Sequence, residues 1–243
     1  MNPLREYFDN NTKNAIHKWM HYFEIYDTFF KKYKNTPVVI LEIGVYQGGS
    51  LHMWRNYFGK EAKIFAIDIN AECKQFEDEN TKIFIGSQED RSFLEQVKSQ
   101  IPKIDILIDD GGHTMTQQIV SFEVLYSQIR DGGIYLCEDL HTSYWIEYGG
   151  GYKRSGSYIE YSKNFIDYLH AWHSSDKRLK VGELTRSMYA LHYYDSVLVV
   201  EKRKVDPPES KMMGELVIPI DRFPTPARPK ENIFKRILRR LFS

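Results

Sequence analysis

The chain has 243 residues, with 33 basic and 33 acidic side chains. That length accommodates one α/β domain with appendages and a sizeable core, and the balanced charge gives no sign of nucleic acid as a partner. Two cysteines, no secretory leader and no apolar run near the ~20 residues of a spanning helix lead us to expect a reducing cytosol.

From the N-terminus, residues 14–33 place Ile16, Trp19, Met20, Phe23, Tyr26, Phe30 and Tyr33 at spacings of three and four. The spacing predicts one apolar helix face, and residues 1–36 are expected to form a helical lid or flank. His17, Trp19 and Tyr22 could touch a ligand from it, while core aromatics and solvated histidines are the plainer account of each. Val38–Ile43 is then a strand buried on both faces. It runs into Gly44-Val45-Tyr46-Gln47-Gly48-Gly49-Ser50 and a helix from Leu51 to Tyr57. Strand, glycine turn and helix form an anion-accepting geometry, because the helix N-terminus offers free N–H groups. The spacing E-x-G-x-x-x-G-G-S, with Glu42 ahead of the first glycine, differs from the dinucleotide fingerprint. A glycine turn needed only for packing is the plainer account of it.

The next strand, Lys63–Asp68, ends on an acid about 20 residues after the loop, where a ribose diol would lie in either NAD or S-adenosylmethionine binding. A third strand, Lys82–Ile85, leads into Gly86-Ser87-Gln88-Glu89-Asp90. Here Ser87 and Gln88 are candidates for reading an adenine edge, with a helix N-cap the other role open to Ser87. Residues 91–100 read as a short helix.

The fourth strand, Ile104–Ile108, ends in Asp109-Asp110-Gly111-Gly112-His113. In open α/β sheets ligands gather at such carboxyl ends. Thr114–Ile129 is predicted helical, stopped by Asp131-Gly132-Gly133. A fifth strand, Gly133–Asp139, then leaves Glu138 and Asp139 at its tip. Adjacent parallel strands run ~4.8 Å apart, so carboxylates at both tips can reach one ion. Oxygen donors without thiolate suit a hard cation such as magnesium. The competing account has the aspartates capping the next helix with His113 on its first turn, a task for which one carboxylate suffices.

Residues 140–158 are glycine-rich, aromatic and irregular, and Tyr144, Trp145, Tyr148 and Tyr152 either form a stacking wall for a sugar ring or simply pack the loop. Residues 160–173 read as helix. Met188–Val200 reads as an antiparallel hairpin turned at Asp195-Ser196. Six prolines in 205–229 mark an extended linker. In 230–243 an apolar stripe lies against Lys235, Arg236, Arg239 and Arg240, a basic amphipathic helix suited to an anionic membrane surface, to the chain itself or to a second copy.

The stretches EIGVYQGGSLHMW, AIDI, DILIDDGGH and CEDLHTSYW resemble the class I S-adenosylmethionine-dependent methyltransferases that modify macrolide deoxysugars, and the related rhamnosyl O-methyltransferases and cephalosporin-hydroxylase-like proteins. The resemblance covers roughly residues 14–203. It implies a doubly wound α/β, Rossmann-like sheet, mostly parallel and closed by an antiparallel hairpin, with residues 37–204 as the catalytic domain. It also implies magnesium at Asp110, Glu138 and Asp139, and His113 as the group that takes the substrate proton. The expected cofactor-facing set is Glu42, Gly44, Tyr46, Gly48, Ser50, Asp68, Ser87, Gln88 and Asp109, with Tyr144 and Trp145 toward a sugar acceptor.

Two other classes stand beside an O-methyltransferase. A metal-dependent oxygenase would use two histidines and one carboxylate, whereas this cluster has one histidine and several acids. A non-catalytic cofactor- or glycan-binding module would have no use for His113.

Overall fold

The computed structural model describes residues 2–218. Seven strands form one sheet in the order β3-β2-β1-β4-β5-β7-β6. They are β1 (Val39–Ile43), β2 (Lys63–Asp68), β3 (Thr81–Ile85), β4 (Ile104–Asp109), β5 (Ile129–Cys137), β6 (Met188–Tyr194) and β7 (Val197–Lys202). The first five run parallel, while β7 lies antiparallel to both β5 and β6. The doubly wound sheet with its terminal hairpin, expected from the sequence, is the one observed. All six residues of β4 are buried, Asp105 and Asp109 included, the two-sided burial that its largely apolar, β-branched composition implies.

Two apolar layers sandwich the sheet. Ile40, Ile64, Ile106, Ile108, Ile134 and Val199 face helices α1 (Pro3–Asp9), α2 (Tyr22–Phe30) and α3 (Gly49–Phe58). Leu41, Ile43, Ile67, Leu107, Tyr135 and Leu198 face α4 (Arg91–Gln100), α5 (Met115–Leu125) and α6 (Tyr158–His170). Alternate residues of each strand point to opposite layers. Tyr26, Phe30, Trp54 and Phe58 interlock through ring contacts with centroids 5.3–6.1 Å apart, fastening α2 onto α3.

Three expected boundaries shift. The helix anticipated over 14–33 forms only from Tyr22 to Phe30, and α1 precedes it. Between them Asn11 closes a local turn, accepting from the Lys13 amide and donating to the Asn14 carbonyl, and residues 15–19 carry no helix. Asparagine side chains compete for backbone groups in this way, and the backbone at Asn14 and Ala15 packs directly over Gly49. The helix expected to run to Ile129 stops at Leu125, and Ile129 already pairs with Ile104. Gly132 and Gly133 therefore lie inside β5, next to a register shift, where glycine marks a bulge. A short helix α7 (Glu183–Ser187), absent from the sequence reading, leads into β6.

The chain divides at Pro207/Pro208, and among the described residues 208–218 form no helix or strand. Most of the linker expected over 205–229 and the whole basic helix of 230–243 lie outside the described residues. No described helix is long and apolar enough to cross a membrane.

Candidate active site

The carboxyl ends of β1, β2, β3 and β4 enclose a cavity of about 410 Å³, lined among others by Gly44, Tyr46, Asp68, Ser87, Gln88 and Asp110. Gly44 adopts φ +95°, and a Cβ there would strike the Asp110 carbonyl oxygen, so only glycine lets β1 turn against the β4 loop. Gly48, at φ +74°, is the left-handed residue ahead of α3 and packs under the Phe76 ring. Asp68 ties the loop down: its Oδ2 accepts from the Val45 and Tyr46 amides at 2.8 and 3.1 Å, and Oδ1 from Asn70 at 2.8 Å. Gln88 donates to Asp109 Oδ1 at 3.0 Å and accepts from the Gly112 amide at 2.8 Å, joining the β3 and β4 loops. Ser87 also lines the cavity, while the N-cap of α4 is Asp90.

Gly48, Glu42, Ser50 and Asp109, all expected to face the cofactor, are not among the residues lining this cavity. Glu42 is fully buried and accepts from Trp54 Nε1 at 2.9 Å and Ser50 Oγ at 3.0 Å, so it clamps α3 to β1. Burial pushes its carboxyl up to about 7. Ser50 is correspondingly taken up by Glu42. Asp109 points into the opposite layer, where burial likewise raises it to about 7 and its Oδ2 lacks a partner. Glu42 is the penultimate residue of β1 and Asp109 the last of β4, and the alternation of each strand turns the acid into the fold rather than into the cavity.

A second cavity, of about 340 Å³, adjoins the first through Tyr46, Asp110 and Gly111. Its walls include His17, Lys18, Trp19, Tyr22, His113, Glu138 and Asp139. Here the β4 and β5 tips meet as anticipated. Donor atoms of Asp110, His113 and Asp139 all lie within 4.8 Å of one another, the group among the described residues suited to an ion. His113 Nε2 is 3.8 Å from Asp110 Oδ1 and 3.4 Å from Asp139 Oδ2, and the buried Nδ1 is unpartnered. Burial lowers the imidazole pKa, outweighing the two carboxylates that raise it.

Glu138, expected as a third metal carboxylate, is engaged elsewhere. Its Oε2 meets Lys18 Nζ at 2.9 Å and its Oε1 accepts from Tyr26 at 2.7 Å. Burial first, then Asp110, pushes it up to about 8. The Lys18 ammonium also contacts Asp110 Oδ2, and these carboxylates hold its pKa up against the opposing effect of burial. Asp139 accepts from Tyr22 at 2.7 Å. Lys18 was missed in the sequence because nothing local marks a lysine between His17 and Trp19 as buried, and Tyr26 was read only as part of an apolar helix face. Tyr22, which the sequence left open between core packing and contact with a ligand, lines this cavity.

The aromatic wall falls differently from expectation. Trp19, Tyr22 and Tyr46 line the His113 cavity. Tyr144 instead lines a separate groove with Leu140, His141 and Ile166. Trp145 packs on His141 and Tyr148 at ring separations of 4.6 and 5.7 Å and is outside the His113 cavity. The loop folds into two short 3-10 turns, Leu140–Tyr144 and Ile146–Tyr148, which carry both rings past the strand tips.

The chain is 34% identical over 192 residues to mycinamicin VI 2''-O-methyltransferase of Micromonospora griseorubida, covering 74% of this chain and 48% of that protein. It is also 34% identical over 205 residues to the 8-demethyl-8-(2-methoxy-alpha-L-rhamnosyl)-tetracenomycin-C 3'-O-methyltransferase of Streptomyces olivaceus, covering 78% of this chain and 52% of that one. A solved structure of MycE methyltransferase in complex with Mg, SAH and mycinamycin VI superposes with a TM-score of 0.73 at 30% identity, covering 84% of this chain and 53% of that chain. The chain is a relative of the sugar O-methyltransferases and carries the class I methyltransferase fold. It spans about half the length of the curated relatives it matches. No family model matches it.

Proposed function

We propose that the chain is an S-adenosylmethionine-dependent, divalent-cation-dependent O-methyltransferase acting on a sugar hydroxyl of a glycosylated metabolite or glycan. The observation that carries this reading is the pair of adjoining cavities. One has a glycine loop and a strand-end acid, the other a histidine among carboxylates, and they share Tyr46, Asp110 and Gly111. A volume of about 410 Å³ falls in the ordinary range of small-molecule sites. Relatives named for methylating sugars on macrolides and tetracenomycins support the acceptor class.

S-adenosylmethionine supplies a methyl group on a positively charged sulfur, with a thioether as leaving group. Asp110 and Asp139 would hold a hard cation, whose Lewis-acid chemistry makes an acceptor hydroxyl more acidic. The convergence of their oxygens with no thiolate nearby fits that group. His113 takes the hydroxyl proton at Nε2, the ring nitrogen facing the carboxylates, and burial keeps it neutral and able to do so. Tyr46 is 64% exposed and walls both cavities, so it can align acceptor and methyl donor. A second reading, favoured by the same convergence of donor atoms, makes His113 a ligand of the cation.

The test is mass spectrometry of sugar acceptors incubated with the protein, S-adenosylmethionine and magnesium, with and without chelator. A gain of one methyl that chelator abolishes is expected. A gain of oxygen, or methylation undiminished by chelator, would reject the reading.

For the tail the sequence alone supports attachment to an anionic membrane surface. From Arg228 onward there are six basic residues and one acidic, 6 − 1 = +5, interleaved with apolar ones. Sedimentation with anionic liposomes of the full chain and of a chain lacking 230–243 decides it. Failure of the full chain to bind rejects it, and self-association lost on truncation would point to a second copy instead.

A further inference from the structure

Neither motif nor spacing announced Lys18, yet it is buried within the cluster. Its side chain is 2% exposed, and its ammonium contacts Asp110 Oδ2 and lies 2.9 Å from Glu138 Oε2. Those are two of the three carboxylates that the family resemblance assigns to magnesium. A buried ammonium is tolerated only with paired charge, and here the pairing is with groups that a dication also seeks.

We propose that Lys18 is a displaceable internal cation: it neutralises Asp110 and Glu138 before the divalent ion binds, and binding of the ion frees Lys18 into the His113 cavity. This deepens the function proposed above and rests on it. Three observations carry it. The carboxylates serve both partners, and an ammonium and a dication on the same oxygens repel each other. Lys18 lies on the irregular stretch between α1 and α2, where no helical or sheet ladder fixes its backbone. The released side chain has somewhere to go, since Lys18 itself lines the cavity of about 340 Å³ with the exposed residues His17 and Trp19. Glu138 then becomes available as the third carboxylate, held through Oε1 by Tyr26.

The test reads metal binding, not turnover. Lysine acetylation of the full chain by an amine-reactive ester, mapped by mass spectrometry, is compared with and without saturating Mn²⁺. Lys18 should be protected in the metal-free protein and become labelled at least ten-fold faster with Mn²⁺. Lys18→Met should bind Mn²⁺ at least ten-fold more tightly by calorimetry, and Lys18→Gln serves if that variant does not fold. Equal protection of Lys18 with Mn²⁺ bound overturns the displacement, whatever the affinities do. Unchanged or weaker Mn²⁺ binding by the variants overturns it too. Neither result touches the methyltransferase reading, whereas absence of Mn²⁺ binding by native and variant alike overturns both this inference and the cation half of that reading.

Discussion

His113 Nε2 lies 3.4 Å from Asp139 Oδ2, and the two residues leave different strands with the same left-handed backbone, φ 58° and 56°. Such conformations are uncommon for residues other than glycine, although asparagine, aspartate and histidine adopt them more often than most, and they gather at functional sites. The loop after β4 thus brings an imidazole, and the tip of β5 a carboxylate, to one point. Replacing His113 by alanine should therefore lower kcat by about 10²–10⁴-fold while leaving S-adenosylmethionine affinity within about two-fold of native. Mn²⁺ titration of the variant separates the two roles: retained binding identifies a base, lost binding a ligand.

The pH profile follows from burial of His113, which lowers its pKa below the ordinary imidazole value of about 6.5. Only the neutral ring accepts a proton, so activity is lost as pH falls through the depressed value and is full above it. The acid limb of kcat/KM should have its midpoint below about 6.5, and His113→Ala should flatten it. A limb centred above 7 would assign the titration to another group.

Asp68 holds three amides, those of Val45, Tyr46 and Asn70. Asp68→Ala leaves them to water or unpaired, so a stability loss of about 1–3 kcal/mol is expected, seen as a lower Tm. S-adenosylmethionine affinity should fall at least ten-fold, with Asp68→Asn between native and alanine because one acceptor oxygen remains. Calorimetry that finds native affinity in the alanine variant would contradict the placement of the ribose.

Glu42 offers a stability test away from the chemistry. Burial pushes its carboxyl up to about 7, above the roughly 4.3 of an unfolded chain. The folded state holds that proton more tightly, so the contribution is fully present below about 4.3 and is lost as pH rises through about 7. Glu42→Gln keeps an acceptor oxygen for Trp54, its NH2 can donate to the Ser50 hydroxyl, and it does not ionise. Its Tm should be close to native at pH 4 and exceed it by more than about 5 °C at pH 8. Raising the carboxyl from about 4.3 to about 7 amounts to several kcal/mol, at ~1.4 kcal/mol per pH unit, and each kcal/mol moves Tm by about 2–4 °C in a domain this size. An equal Tm difference at both pH values would show that ionisation of Glu42 is not involved.

The strands and the glycine loop were legible because their causes are local. Val39–Ile43 and Ile104–Asp109 are mostly apolar and β-branched, interrupted only by Glu42 in the first and by Asp105 and the terminal Asp109 in the second, and such runs have few options besides a buried parallel strand. Gly44 and Gly48 mark the turn between strand and helix, and Asp68 stands at the next strand end where the sheet order brings it to the loop. Strand tips ending in Asp110, His113 and Asp139 were readable for the same reason, since adjacency of β4 and β5 follows from the parallel architecture. What lies around those tips was decided through space. Glu42 and Asp109 are acids beside the loop in sequence, yet the strand alternation turns them into the two packed layers. Tyr144 and Trp145 follow Asp139 closely, but two 3-10 turns carry them past the cavity. Lys18 reaches Glu138 across 120 residues because α2 packs on α3 and sets the preceding segment over the sheet. Apolar period and turn chemistry act over a few residues. The partner of a buried charge is chosen by whichever oxygens the folded chain has left without one.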